Sequence, residues 1–154
     1  MIIKDPMKEN IGESLHQLLH SYRYQIRNAA LEANISIPVT HIRALKCINK
    51  MPNCSAKSIS EKLSLDKSQV TRVINELQAD SLIEKDQDPE NYRSQLLSLT
   101  NTGREQLLQV LMLEQSAVET MTRDLTDQQV ADFIHITNIM ISNSLSLPQR
   151  VQQD

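Results

Sequence analysis

Six polar side chains share one face of a short predicted helix in the middle of the chain, and their chemistry suits hydrogen bonding to a nucleic acid. They are Lys67, Ser68, Gln69, Thr71, Arg72 and Asn75. Gln and Arg can make paired hydrogen bonds to base edges, Ser and Thr can bind bases or phosphates, and Lys neutralises phosphate. On an isolated helix the same residues would more often be an ordinary solvated surface. Their interpretation therefore depends on the elements around them.

The elements next to this helix form a helix-turn-helix pattern. Apolar residues at helical spacing predict a short helix over residues 55–63 and a second one that ends near Asp80. Only residues 64–66 remain between them, and Asp66 with Gln69 has the pattern of an N-cap and its capping-box partner. Two short helices joined by so brief a turn, the second of them amphipathic, are typical of a helix-turn-helix.

A β-hairpin is predicted directly after this unit. Residues 81–85 and 95–99 are candidate strands, and the segment 86–94 between them is polar and turn-forming. A hairpin in this position is a wing. Arg93, near the tip of the hairpin, is well placed for the DNA minor groove, whose negative potential attracts a cation.

Long helices are predicted on both sides of the winged unit. Apolar residues recurring every three or four positions predict helices over residues 8–33, 38–49, about 100–125 and about 126–147. The terminal helices carry more apolar surface than one core-facing stripe needs, which indicates burial against a second subunit. The expected fold is mostly α, with six helices and a β-hairpin wing. We expect a winged helix-turn-helix domain over 36–103 and dimerisation helices over 1–35 and 104–154.

Composition and charge narrow the possible functions. Only 2 of 154 residues are Gly and aromatics are 3%, which argues against a β-sandwich, a barrel or a glycine-looped nucleotide fold. The net charge of −3 hides a balance of +3 over residues 36–80 and −4 over 100–154, so the middle of the chain can meet a polyanion. The GxSxG, HExxH and GxxxxGK[ST] motifs are absent from the sequence, so we expect no enzyme. No signal-peptide core or apolar run of the ~18 residues needed for a membrane span occurs, so a cytoplasmic location is expected.

Two sets of residues have metal or redox chemistry but lack the usual motifs. Glu13, His16 and His20 share one helical face at metal-ligand spacing, yet no Cys or Asp donor lies close to them in the sequence. Cys47 and Cys54 fit no CxxC motif. Cys47, on a helix that should pack, is expected to be a small buried hydrophobe. We therefore expect no metal site and no cofactor.

Several segments resemble the MarR (multiple antibiotic resistance) family of regulators. The segment 63–77 resembles the family's recognition helix, and residues 80–85 resemble the start of its wing. Residues 88–93 followed by 97–103 resemble the wing signature Asp-Pro-x-Asp-x-Arg and then Leu-Thr-x-x-Gly. Asn91 stands where the family usually has Asp, and Ser81 stands where it usually has Gly. The order of the elements is similar over roughly residues 10–147.

The resemblance implies a homodimeric transcriptional regulator that binds a pseudo-palindromic operator in double-stranded DNA. It also implies that a small ligand or an oxidation event alters DNA affinity, and we expect a repressor released by a small molecule. A crevice between the winged domain and the dimerisation helices would favour an apolar or aromatic effector, because ligand sites have mainly apolar walls. The alternative, favoured by the acidic net charge and the few cations of the wing, is a winged-helix interaction module that has lost DNA readout. The residues predicted to contact DNA are Ser55, Lys57, Lys67, Ser68, Gln69, Thr71, Arg72, Asn75, Tyr92, Arg93 and Ser94.

Overall fold

A computed structural model describes residues 6–145, which form six helices and one two-stranded antiparallel sheet. The elements are α1 (Pro6–Glu32), α2 (Val39–Lys50), α3 (Ala56–Leu63), α4 (Lys67–Ala79), β1 (Ile83–Gln87), β2 (Gln95–Leu99), α5 (Asn101–Thr122) and α6 (Asp127–Leu145). The predicted mostly α fold with a hairpin wing is confirmed. The predicted end of the last helix near residue 147 and the outer ends of segments 1–35 and 104–154 lie outside the described residues.

One hydrophobic core holds the helix-turn-helix and the hairpin together within the compact unit that extends to Ala117. Leu45 of α2, Ile59 of α3 and Leu77 of α4 are fully buried, and Leu97 of β2 is nearly so. Burying each such side chain stabilises the fold by roughly 1.5–3 kcal/mol. Because α4 packs on α2, α3 and β1, this core fixes the direction in which the exposed face of α4 points.

The turn between α3 and α4 is built by the residues that the sequence indicates. Ser64 ends α3 in the left-handed conformation, with φ of 54°. Asp66 then caps α4, since its Oδ1 accepts from the Gln69 N–H at 2.8 Å while the Gln69 Oε1 accepts from the Asp66 N–H at 3.0 Å. This reciprocal pair satisfies backbone donors that a helix start otherwise leaves unpaired. The predicted capping box is therefore confirmed.

The first strand of the wing starts two residues later than predicted. Ile83 pairs with Leu99 at the base of the hairpin, and Gln87 pairs with Gln95 towards its tip. The predicted strand over 81–85 is confirmed at residues 83–85. It is wrong at residues 81 and 82, because Ser81 is left-handed, with φ of 58°. The Leu82 N–H donates back to the Leu77 carbonyl at 2.9 Å. Residues 81 and 82 therefore close the end of α4 instead of joining the sheet.

A close backbone contact joins the base of the wing to the start of α5. The Thr100 hydroxyl accepts from the Gly103 N–H at 2.9 Å and donates to the Ser81 carbonyl at 2.6 Å. The Thr100 N–H donates to the Leu82 carbonyl at 3.1 Å. A Cβ added to Gly103 would lie 2.0 Å from that same carbonyl oxygen. The Leu-Thr-x-x-Gly pattern thus has a structural reason, since only glycine allows this approach.

The described residues from Val118 to Leu145 belong to a second compact unit, which contains α6. α5 ends at Thr122, three residues before the predicted end, and Thr126 with Gln129 forms a capping box at the start of α6. α6 contains no buried residue. Its large apolar side chains that stand about half exposed are Phe133, Ile134, Ile136, Ile139 and Ile141. None of the helices in the described part of the chain has the length and hydropathy to cross a membrane.

Candidate nucleic-acid interface

A groove of about 750 Å³ opens between the start of α3, the exposed face of α4 and the wing. It brings together residues that lie far apart in the sequence and that were predicted to contact DNA. The predicted residues that line it are Ser55, Lys57, Thr71, Asn75, Tyr92, Arg93 and Ser94. The mixture of cations, hydroxyls and one amide is suited to phosphates and base edges. Tyr92 is 92% exposed, so its ring is open to solvent at the rim.

The outer face of α4 forms a second, shallower concavity. The predicted residues on it are Lys67, Ser68, Thr71, Arg72 and Asn75. Thr71 and Asn75 line both concavities, so one continuous surface runs from the outer face of α4 to the wing. An α-helix with such a face has the width that the DNA major groove accepts.

Gln69 is the predicted DNA contact whose side chain lies outside both concavities. It lines neither concavity, and its side-chain oxygen is held in the capping box with Asp66. The backbone N–H of Gln69, the hydroxyl of Ser68 and the charge of Arg72 hold the pKa of Asp66 below its usual range. The Asp66 carboxylate therefore stays ionised, and the cap intact, until the pH falls through that lowered pKa.

The two strands of the hairpin supply three polar groove residues that were not among the predicted DNA contacts. Lys85, Gln87 and Gln95 line the groove beside the residues already named. The Lys85 Nζ donates to the Asn75 Oδ1 at 3.4 Å, which connects the wing to α4. Lys85 and Gln87 are two positions apart on β1, and side chains at that spacing share a face of a strand. That periodicity is the signal that could have found them.

The tip of the wing is shaped by a set of local hydrogen bonds. The amide oxygen of Asn91 accepts from the Arg93 N–H at 3.1 Å, and its backbone carbonyl accepts from the Ser94 N–H at 3.0 Å. The Asp88 carboxylate accepts from the Glu90 N–H at 2.9 Å. Asn91, the departure from the usual Asp, thus organises the tip through a side-chain oxygen that both residue types possess. Arg93 itself is exposed.

A side-chain hydrogen bond between α2 and α4 lies beside the surface predicted to contact DNA. The His41 Nε2–H donates to the Glu76 carboxylate at 2.8 Å. His41 is 9% exposed, and its Nδ1 is buried with no hydrogen-bond partner among the described residues. Glu76 is half exposed at the rim of the outer concavity. The pair therefore helps to hold α4 in position against α2. It lies at the edge of the surface that is predicted to contact DNA.

Replacing Glu76 with Ala is expected to lower the free energy of unfolding by about 1–3 kcal/mol, because it leaves the buried His41 N–H without its acceptor. Glu76→Gln is the matched control, since its amide oxygen can still accept this hydrogen bond. Urea unfolding followed by circular dichroism measures both variants. Equal stability of the Ala variant and the wild type would show that the pair does not hold α4.

These features define a winged helix-turn-helix protein of the DNA-binding class. They are two short helices with a tight turn between them, and a hairpin beside a groove lined by cations. Residues 37–95 match the MarR family. Over this segment the chain is similar to that family, whose members are transcriptional regulators.

Individual relatives are similar to this chain in sequence over a short segment or in fold over most of its length. The transcriptional regulator BilQ of Clostridioides difficile is 42% identical over 60 residues, which are 39% of this chain and 40% of BilQ. The match thus spans less than half of that relative's length. A MarR family protein from Bacillus stearothermophilus shares the fold with a TM-score of 0.79 at 13% identity, over 94% of this chain and 100% of the other. BpsR of Bordetella bronchiseptica, whose DNA binding is regulated by 6-hydroxynicotinic acid, has a TM-score of 0.62 at 19% identity, over 83% and 98% of the two chains.

Proposed function

We propose that the protein is a homodimeric repressor that binds a pseudo-palindromic operator through α4 and the wing and releases it when a small apolar or aromatic molecule binds. The observation that carries this proposal is the continuous polar and cationic surface over α4, the start of α3 and the wing. In this proposal residues 36–103 form the DNA-binding domain, and 1–35 with 104–154 form the dimerisation region. Effector release is supported by the fold shared with BpsR. The cytoplasmic location follows from action on the chromosome.

We propose a different role for each part of the surface. α4 enters the major groove, where Arg72 and Asn75 contact base edges and Lys67 contacts phosphate. The free N–H groups at the start of α3, beside Ser55 and Lys57, bind a backbone phosphate, because a helix N-terminus favours an anion. The wing reaches the neighbouring minor groove with Arg93.

Titration of the full chain against fluorescent duplex DNA tests the function. A genome-wide binding selection first identifies the operator, and fluorescence anisotropy then measures affinity for operator and random duplex at several salt concentrations. We expect the logarithm of the binding constant to fall linearly with the logarithm of salt, with a slope of about 0.9 per phosphate contact. A chain that binds neither duplex would instead support the interaction module, which the acidic residues Asp86, Asp88 and Glu90 of the wing favour.

The dimer is supported by the apolar side chains that the single chain leaves in contact with solvent. α1 exposes Ile11, Leu15, Leu18 and Leu19 by 40–47%, and the half-exposed apolar residues of α6 add to them. Apolar surface of this extent on a soluble monomer is unusual and marks an interface. In the dimer a two-fold axis places the two α4 helices one DNA turn apart, roughly 34–36 Å.

Sedimentation velocity at micromolar concentration is expected to show a dimer. Ile136→Glu in α6 is expected to yield monomer, because it buries a charge in the apolar interface at a cost of several kcal/mol. Asn138→Glu adds the same charge at an exposed polar position of the same helix and is the matched control. A stable wild-type monomer at this concentration would contradict the dimer.

A further inference from the structure

The side chains of Asn75 and Lys85 meet in the groove between α4 and the wing. The Lys85 Nζ donates to the Asn75 Oδ1 at 3.4 Å, and both residues line the groove. Asn75 is exposed, and its amide NH2 group makes no hydrogen bond in the part of the chain that the structure describes. The contact therefore joins a helix residue predicted to touch DNA to a strand residue that was not among the predicted contacts.

The fold holds the two residues in this arrangement from both sides. Asn75 follows the buried Ile74 on α4, so the packing of that helix leaves Asn75 on the groove side. Lys85 pairs with Leu97 in the register of the hairpin, and the Leu97 side chain is part of the core. Because α4 also packs on β1, buried contacts set the spacing between the two side chains.

The charge of Lys85 determines which end of the Asn75 amide is left for DNA. A lysine ammonium has three donor hydrogens and no acceptor, so it attracts the amide oxygen and repels the amide NH2 group. Thr71, one turn earlier on α4, does not compete for that oxygen, because its hydroxyl donates to the Lys67 carbonyl at 2.8 Å. The Asn75 oxygen is thus occupied, and the NH2 group is the part that can contact a base.

We propose that Lys85 sets the base preference of Asn75, so that Asn75 selects guanine in the major groove, an assignment that rests on the proposed function. Guanine presents two acceptors, N7 and O6, on its major-groove edge, and Asn75 with Lys85 offers only donors. Adenine needs an asparagine that donates to N7 and also accepts from the N6 amino group, but Lys85 already occupies that acceptor. Cytosine presents only an amino donor there, and thymine presents a single acceptor.

Lys85 is a positioning residue in this assignment, because it acts through Asn75. Lys85→Met keeps an unbranched side chain but has no donor, so the Asn75 oxygen becomes free to accept from adenine N6. We expect the preferred base at this position to change from guanine to adenine, with a discrimination of about fivefold or more in each case. Lys85→Arg keeps a cationic donor and no acceptor, so it should retain the preference for guanine.

Selection from a random-sequence duplex library with the full chain tests the assignment. Selection with Asn75→Ala identifies the position that Asn75 contacts, since the base preference there should be lost. Four duplexes that differ only at this position of each half-site then give the affinities of the wild type, Lys85→Met and Lys85→Arg by fluorescence anisotropy. Lys57→Met is the matched control, because it removes the same charge from the same groove, where Lys57 is paired with Glu61. Its affinity should fall for all four duplexes while guanine stays preferred.

Three results would overturn the assignment and leave the proposed function standing. They are a wild type that prefers any base other than guanine, a Lys85→Met chain, folded by circular dichroism, that does not shift to adenine, and an Asn75→Ala chain that keeps every base preference. The first result needs no variant, so misfolding of Lys85→Met cannot conceal a failure. A wild-type chain that enriches no sequence from the library would refute the proposed function, and this assignment with it.

Discussion

Replacing Gly103 with Ala is expected to lower the free energy of unfolding by about 3 kcal/mol or more, the upper range for overpacking in a closely packed site. The new Cβ would meet the Leu82 carbonyl oxygen at 2.0 Å, far inside any normal contact. This oxygen is a backbone atom, so it cannot move aside by a side-chain rotation. The Leu82 carbonyl also accepts from Thr100, so any shift breaks that hydrogen bond as well.

The other glycine of the chain provides the control for this experiment. Gly12 lies inside α1, and a Cβ there meets nothing within 4 Å. Gly12→Ala is therefore expected to raise stability by about 0.5–1 kcal/mol, because alanine loses less backbone freedom in a helix. Urea unfolding at one fixed chain concentration compares the two variants. Equal midpoints for Gly103→Ala and wild type would show that the wing base tolerates a side chain.

A weakened wing base would also be measurable in DNA binding. The contact of Gly103 with Leu82 lies at the foot of β1, the strand that carries Lys85 into the groove. We expect Gly103→Ala to lose affinity for operator even under conditions where the chain stays folded. The order of the elements is visible in the sequence because turn chemistry and helical periodicity are local properties. The pattern that contains Gly103 was identified only through the resemblance to the MarR family.

The parts of the fold that the sequence did not predict depend on contacts between distant residues. The start of β1 was predicted two residues early because Ser81 and Leu82 look like strand residues. They close α4 instead, through hydrogen bonds to residues 77 and 78. A left-handed serine has no signature of its own in a single sequence, because glycine and asparagine are the usual residues there.

The same distinction holds for the candidate site. The face of α4 was predicted from helical spacing, and the structure places its residues on one surface with those of the wing. Lys85 was left out because its position beside Asn75 depends on how the hairpin packs on α4. The pairing of His41 with Glu76 joins residues that are 35 positions apart, and no periodicity indicates it. Whether these residues contact DNA stays a prediction.

The second large effect is expected for Arg72→Ala, which should weaken operator binding by about 1–3 kcal/mol and relax the preference for operator over random duplex. Arg72 lies on the outer concavity of α4, where its guanidinium can make two hydrogen bonds to a base edge. Loss of such a contact affects the correct sequence more than an incorrect one. Arg123→Ala removes the same charge from an exposed position between α5 and α6 and serves as the control.

Arg93→Ala is expected to behave differently, because a cation in the minor groove responds to groove width and charge more than to base identity. Affinity for operator and for random duplex should fall together, and the salt slope should decrease by about one unit per half-site. Titration of both variants and the control against the two duplexes at two salt concentrations separates the roles of helix and wing. If Arg93→Ala binds both duplexes as the wild type does, the wing does not contact DNA. The readout then rests on α4 and the start of α3 alone.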